Sequence, residues 1–180
     1  MDPIALLTTC YPPGSPAREP LLQHSARVAA KAVAVARRLT EPVDITFVEE
    51  AAWLHDIGIL HTASPKIGCF GSLPYICHGI KGREMLEAEG LPRHALVCER
   101  HIGVGLTVAD IDAQGLPLPR RDMVPCTLEE QIVAYADLFF SKSPRMAGRE
   151  RSASEVRETL GRYGAAKCAI FDAWRIRFGD

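Results

Sequence analysis

A histidine and an aspartate, His55 and Asp56, stand side by side in a segment that is otherwise apolar, AAWLHDIGIL. The apolar residues of this segment favour burial, and the doublet between them is therefore expected to lie in the interior as well. A buried carboxylate loses its hydration, so it is normally paired, hydrogen-bonded or bound to a metal. The doublet therefore predicts a fold whose core contains a polar or metal-binding centre.

Other potential metal ligands lie in or beside apolar segments with helical spacing, and they are His24, His78, His101 and Asp137. Neutral imidazole and carboxylate ligands together suit transition metals, whereas Mg and Ca prefer shells of oxygen atoms. A divalent transition metal is therefore favoured. For each residue alone, a hydrogen-bonded core side chain is the competing interpretation. Cys77 and Cys98 lie close in sequence to histidines and are alternative ligands.

The rest of the chain has no βαβ alternation, hairpin signal or internal repeat, which favours a single all-α domain, a helical bundle with metal in its core. Its 180 residues, with 47% hydrophobic content, are enough to bury one substantial core. The predicted helices cover residues 5–9, 18–39, 46–57, 78–89, 92–101, a segment that opens at Thr127 and contains Asp137, and residues 154–162 and 163–178.

The helix that carries the doublet is predicted to begin at a capping box, Thr46–Glu49, and to end near Ile57. Adjacent helical residues diverge by about 100°. His55 and Asp56 can therefore meet at one metal only where the helix ends at that metal. Gly58 suits such an end because glycine lets the chain turn away sharply, and a plain helix cap would use the same residue.

Two long connections rich in Pro and Gly, residues 61–77 and 103–126, are expected to form a wall of the active site and a cover over its cleft. The C-terminal helix is expected to pack on the core through its apolar residues. A partner-facing stripe in a homodimer is the alternative for that helix.

Charge and cysteine content bound the class of protein. The formal net charge is −1 and no long basic block occurs, which argues against a dedicated nucleic-acid binder. The six cysteines form no CxxC pair, so a reducing compartment is the simpler interpretation. The N-terminal segment lacks the features of a signal peptide, and no stretch is long enough to span a membrane. We therefore expect a cytoplasmic protein that makes no membrane contact.

His24, followed by His55-Asp56-Ile57-Gly58 and a distant Asp137, resembles the pattern of the HD-domain metal-dependent phosphohydrolase superfamily, in its HDIG subgroup. The resemblance implies an HD domain over residues 18–142, with an irregular lead-in at 1–17 and C-terminal helices at 143–180 packed on the same domain. It also implies that one metal ion is bound by His24, His55, Asp56 and Asp137.

A second ion is implied by HGIKGREML, which resembles the HGxxGAxxL stretch of dinuclear members of the subgroup, and by the histidine of ERHIG. His78 and His101 would bind this ion, with Asp56 as the bridge. The chain departs from the pattern at Arg83, where a small residue is usual, and at Ile102, where many members have a second histidine. Two divalent ions are expected, with Fe or Mn favoured and Zn, Ni, Co or Mg as alternatives.

The resemblance and the ligands favour a phosphohydrolase that cleaves a phosphoester bond of a nucleotide or another small phosphorylated metabolite through a metal-activated water. The expected catalytic residues are Asp56, His61 and Lys81. Substrate phosphate is expected to meet basic residues near the ligands, for each of which solvated surface charge is the alternative: Lys66, Lys81, Arg83, Lys142 and Arg145.

Two other functions use the same ligands. One is an HD-type oxygenase with a di-iron centre that activates oxygen. The other is a non-catalytic module in which the metal holds the core together and a nucleotide is sensed without turnover. The ligand set favours catalysis over this module. A catalytic metal needs an open coordination position, whereas in a purely structural site protein ligands fill every position.

Overall fold

The computed structural model describes residues 1–143 and 148–179, and Arg145 lies outside them. The predicted all-α class is confirmed. The helices of the described residues are α1 (Pro3–Cys10), α2 (Arg18–Arg38), α3 (Ile45–Leu54), α4 (His78–Ala88), α5 (Pro92–Arg100), α6 (Val108–Gln114), α7 (Leu128–Asp137), α8 (Ala153–Gly161) and α9 (Ala165–Phe178). None of these helices is both long and apolar enough to cross a bilayer.

The main core lies where α2 packs on α3 and α7, and the C-terminal helices close it. Phe171 and Phe178 of α9 are buried, and both rings contact the buried ring of Tyr135 on α7. These α9 side chains therefore belong to the core, as expected, whereas Ile176 on the same helix is 88% exposed.

The connection between α3 and α4 contains more regular structure than the sequence predicts. A 3-10 turn at Ile57–His61 is followed by two short antiparallel strands, β1 (Ala63–Ser64) and β2 (Cys69–Phe70), with Ala63 opposite Phe70. Further 3-10 turns cover Pro65–Ile67 and Tyr75–Cys77. The hairpin was missed because strands of two residues are too short to show an alternating pattern.

Helix α6 was also not predicted, because the stretch 103–126 is rich in Pro and Gly, which are typical of irregular connections. It begins at a capping box in which the Thr107 hydroxyl accepts from the backbone N–H of Asp110 and the Asp110 carboxylate accepts from that of Thr107. The helix ends at Gly115, whose φ of 57° is left-handed. The capping box and the C-terminal glycine are both visible in the sequence, but the surrounding prolines and glycines indicate an irregular loop.

The predicted capping box at Thr46–Glu49 is wrong. Helix α3 begins one residue earlier, at Ile45, and the side chain of Asp44 caps it by accepting from the backbone N–H of Phe47 at 3.0 Å. Aspartate is as good an N-cap residue as threonine, and here the earlier of the two candidate residues caps the helix. The cap predicted at Thr127 is present, since its side chain accepts from the N–H of Glu130.

Gly58 has a different role from the two that the sequence suggested. It lies inside the 3-10 turn after the doublet and its φ is not positive. A Cβ at this position would lie 2.2 Å from the carbonyl oxygen of His78 and 2.3 Å from the backbone nitrogen of Gly82. Glycine is therefore required because the turn packs directly against the backbone of α4.

Candidate metal centre

One group of potential ligands gathers side chains from three helices. His24 comes from the middle of α2, His55 and Asp56 follow the last residue of α3, and Asp137 is the last residue of α7. One ligand atom from each lies within 4.8 Å of those of the others. His24, His55 and Asp56 are buried, so this group lies in the interior, as the sequence predicts.

A second group adds the next pair of helices. His78 is the first residue of α4, His101 follows the last residue of α5, and both imidazoles are buried. Their ligand atoms lie within 4.8 Å of each other and of Asp56. Asp56 thus belongs to both groups.

The two carboxylate oxygens of Asp56 face different groups. Oδ2 lies 2.9 Å from Nε2 of His55 and 3.2 Å from Nε2 of His24, whereas Oδ1 lies 3.3 Å from Nε2 of His78 and 3.6 Å from Nε2 of His101. On the far side of the first group, Oδ1 of Asp137 lies 2.9 Å from Nε2 of His24. Asp56 therefore lies between the two groups and offers one oxygen to each of them.

Backbone hydrogen bonds orient three of the four imidazoles so that Nε2 is the acceptor of the neutral ring. Nδ1 donates to the carbonyl oxygen of Ala52 in His55, of Tyr75 in His78 and of Cys98 in His101, over 2.7, 2.7 and 2.8 Å. A carbonyl can only accept, so in the neutral ring the proton is on Nδ1. Backbone partners of this kind orient metal-binding histidines.

The Nε2 atoms converge on one another and on the two carboxylates, and Nζ of Lys142 is a charged donor beside them. Nε2 of His78 lies 3.1 Å from Nε2 of His101, and two neutral rings in this tautomer cannot form a hydrogen bond between these atoms. Both oxygens of Asp56 and Oδ1 of Asp137 are buried without a hydrogen bond of acceptable geometry. Buried acceptors that face each other in this way fit divalent cations, and these residues therefore match the ligand set of a metal centre.

The electrostatics keep both carboxylates ionised. Burial alone would raise the pKa of Asp56, but His55 and Lys142 hold it well below its usual value, and Lys142 and His24 do the same for Asp137. Burial lowers the pKa of His55, yet Asp56 and Asp137 raise it to about 10, so Nε2 carries a proton that a cation would have to displace. Burial, together with the charge of His55, lowers the pKa of His101 to about 3. The cluster thus presents strong anionic ligands for a cation.

A cavity of about 390 Å³ opens beside Asp137, and three basic residues line it, Lys66, Lys142 and Arg151. Nζ of Lys142 lies 2.5 Å from Oδ2 of Asp56. The guanidinium of Arg151 donates to the carbonyl oxygen of Leu138, and its buried Nε has no partner among the described residues. The cavity therefore presents positive charge beside the ligand groups.

Tyr75 completes the wall of this cavity. Its ring lies against the imidazole of His78, with centroids 4.7 Å apart, and burial raises the pKa of its hydroxyl. Tyr75 and Arg151 were not predicted. Tyr75 stands three residues before His78 and could have been noticed, whereas Arg151 lies fourteen residues after Asp137 with no motif around it.

Three other residues predicted to act at the site are outside both ligand groups and outside the lining of the basic cavity. Lys81 pairs with Glu84 at the surface of α4, over 2.6 Å. Arg83 donates to Glu87 and, over 2.6 Å, to the buried carboxylate of Glu99. His61, in the 3-10 turn, belongs to neither ligand group.

The two cysteines weighed as ligands also lie outside both groups. The thiols of Cys77 and Cys98 donate to the carbonyl oxygens of Pro117 and Leu54. Within the described residues, histidine and aspartate therefore supply all the atoms of the two groups.

The fold and the site together define an α-helical protein with a buried His/Asp centre able to hold divalent metal ions. The profile of the HD domain matches residues 21–140, and the chain belongs to the HD domain family. The assignment to the HDIG subgroup remains a prediction.

Curated relatives cover only part of this chain. An uncharacterized protein of Methanocaldococcus jannaschii is 42% identical over 53% of this chain and 49% of its own length. The tRNA (cytidine(56)-2'-O)-methyltransferase of Thermoplasma volcanium is 35% identical over 70% of this chain and 33% of its own length. The tRNA (cytidine(56)-2'-O)-methyltransferase of Picrophilus torridus is 40% identical over 59% of this chain and 28% of its own length. The comparison with solved structures found no significant match.

Proposed function

We propose that this protein is a metal-dependent phosphohydrolase that cleaves a phosphoester bond of a small phosphorylated substrate, a class that includes nucleotides. The observation that carries the proposal is the position of Asp56, which faces both ligand groups beside a cavity lined by basic residues. HD domain membership supports the same chemistry.

Two ions would be held by His24, His55 and Asp137 on one side of Asp56 and by His78 and His101 on the other. When bound, such ions supply an activated water and neutralise charge on the phosphoryl group. The low pKa values of Asp56 and Asp137 keep these ligands ionised, and the backbone hydrogen bonds of the histidines fix the rings.

Phosphate recognition falls to the cations of the cavity. Burial lowers the pKa of Lys142, but the carboxylate of Asp56 raises it above its usual value, so its ammonium remains charged and can attract a phosphoryl oxygen. Arg151 has a buried Nε–H without a partner, and Lys66 lies at the same cavity. The Tyr75 hydroxyl keeps its proton and can donate a hydrogen bond to a phosphate oxygen.

This charged lining favours phosphoester chemistry over the di-iron oxygenase, because activation of dioxygen requires no cluster of cations beside the ligands. The basic lining suits sensing of a phosphorylated molecule as well as its hydrolysis. Hydrolysis is favoured over sensing by the ligand groups, which share Asp56. Because the chain spans only about a third of the two methyltransferases, methyl transfer is not part of the proposal.

The test is phosphate release from a panel of phosphomonoesters and nucleotides by protein purified without chelator and loaded with Mn or Fe. Asp56→Ala should lower kcat/KM by more than about 100-fold, since loss of a shared ligand should exceed the 10- to 100-fold effect typical of outer-shell changes. Asp112→Ala, which removes an exposed carboxylate paired with Arg120, is the matched control and should retain activity. Full activity in Asp56→Ala would contradict the proposal, as would a metal-loaded protein that hydrolyses none of the panel.

A further inference from the structure

A second cavity, of about 250 Å³, adjoins the basic one, and its walls are predominantly apolar. The apolar pocket is lined from five parts of the chain: Ile76 before α4, residues 102–106 after α5, the end of α6, Leu138 after α7, and the C-terminal helices with Thr159 and Lys167. Gly103 and Leu138 also line the basic cavity. The two cavities therefore share a wall.

Three of the metal-ligand segments continue directly into the apolar pocket. Leu138 follows Asp137, Gly103 lies two residues after His101, and Ile76 lies two residues before His78. A molecule with one end at the ligand groups thus has the apolar pocket next to it.

Two polar side chains of the apolar pocket, those of Lys167 and Thr159, already donate hydrogen bonds to other groups of the protein. Nζ of Lys167 donates to the carbonyl oxygen of Gly105 at 2.7 Å and to the carboxylate of Asp110 at 2.5 Å. The Thr159 hydroxyl donates to the carbonyl oxygen of Glu155 at 2.9 Å. A second phosphate would find the Lys167 ammonium already paired. The predominantly apolar walls offer the many polar groups of a sugar or a polar base few partners besides Gln114 and Tyr163.

We propose that the apolar pocket binds the organic group of the substrate, so that this protein acts on phosphoesters that carry an alkyl or unsubstituted aryl group. This inference rests on the proposed function, which places the phosphoryl group in the basic cavity. Burial of apolar surface in the pocket then discriminates between substrates, at about fourfold in affinity for each methylene group removed from water.

The test compares two stable phosphonates of equal length on the metal-loaded full chain by titration calorimetry. One is n-heptylphosphonate, and the other has ether oxygens in place of two methylenes of its chain. The heptyl compound should bind at least about tenfold more tightly, since two methylenes are worth about fourfold each. Equal dissociation constants for the two compounds would overturn the inference without any variant.

A variant locates the effect. Thr159→Trp places a large ring in the apolar pocket and should remove the preference, bringing the two dissociation constants within about twofold while binding of the ether compound changes little. Glu158→Trp adds the same ring at an exposed position of α8 and should keep the preference. Unchanged selectivity in Thr159→Trp, with the fold verified by circular dichroism, would also overturn the inference.

The two proposals fail separately. Hydrolysis of n-heptyl phosphate and of its ether analogue at equal kcat/KM supports the phosphohydrolase and overturns the inference. Selective binding of the heptylphosphonate without hydrolysis of any ester supports the apolar pocket as a binding site and overturns the hydrolytic function.

Discussion

At the scale of single residues, the orientation of the Asp56 carboxylate organises the site. Six ligand candidates were recognisable from the sequence, because imidazoles and carboxylates in apolar segments need a compensating partner. Their division into two groups follows from Asp56, whose two oxygens face opposite pairs of histidines. Tyr75 and Arg151, which complete the cavity, are neither imidazoles nor carboxylates and so fall outside this reasoning.

His78→Ala should lower the metal content of the purified protein from about two equivalents to about one, because it removes a ligand of the second group only. Elemental analysis of protein purified without chelator or added metal measures this directly. His61→Ala is the control, since His61 belongs to neither group, and it should leave the metal content unchanged. A wild-type content of two that is insensitive to His78→Ala would remove this histidine from the ligand set.

At the scale of elements, helix ends decide where the ligands lie. α3 ends at Leu54, so the doublet lies at a helix end as predicted, and α4 and α5 place His78 and His101 at their own ends. The predicted helices correspond to observed ones, because their apolar periodicity extends over several turns. The hairpin, α6 and the start of α3 were not predicted correctly. The hairpin depends on a pairing of two residues in each strand, and the helix starts depend on which of several possible caps is used.

Gly58→Ala tests the close approach of the 3-10 turn to α4. The added Cβ would lie 2.2 Å from a backbone oxygen, so the turn and α4 must separate, which should lower the free energy of unfolding by about 3 kcal/mol. Gly161→Ala is the matched control in α8, where the new Cβ would meet Cys168 Sγ at an ordinary 3.7 Å. That variant should be neutral or slightly stabilised, since alanine favours helix. Urea denaturation of both variants measures the difference.

At the scale of the whole molecule, long-range contacts join the C-terminal helices to the rest of the chain and shape the apolar pocket. Lys167 of α9 reaches Asp110 of α6 and the carbonyl oxygen of Gly105. Arg151 is fixed beside the ligand groups through hydrogen bonds from its backbone N–H to Phe139 and from its guanidinium to Leu138. None of these contacts follows from a local pattern.

Asp110→Asn should lower the free energy of unfolding at pH 7 by about 1 to 2 kcal/mol, because it weakens a charge-assisted bond to a buried lysine. Burial would raise the pKa of Asp110, but Lys167 and Thr107 lower it on folding. Its contribution is therefore present above the unfolded pKa of about 3.9 and is lost as pH falls through the lower folded value.

Urea denaturation at pH 7 and below pH 4 measures this dependence, and the difference between wild type and Asp110→Asn should narrow at the lower pH. Asp112→Asn, in an exposed pair with Arg120, should stay within about 0.5 kcal/mol of wild type at both pH values. A difference of Asp110→Asn from wild type that is independent of pH would assign the stabilisation to packing rather than to charge.

The sequence by itself determined the helical class and the candidate ligands, because apolar periodicity and the cost of burying His and Asp are properties of the local chain. Only the tertiary structure decided how the ligands divide around Asp56, which cations reach the cavity and what lies beside it. Lys81 and Arg83 are near the ligands in sequence yet pair with carboxylates elsewhere, whereas Arg151 is distant and lines the cavity. The physical reason is that side-chain direction and packing between helices, rather than distance along the chain, set which charges meet.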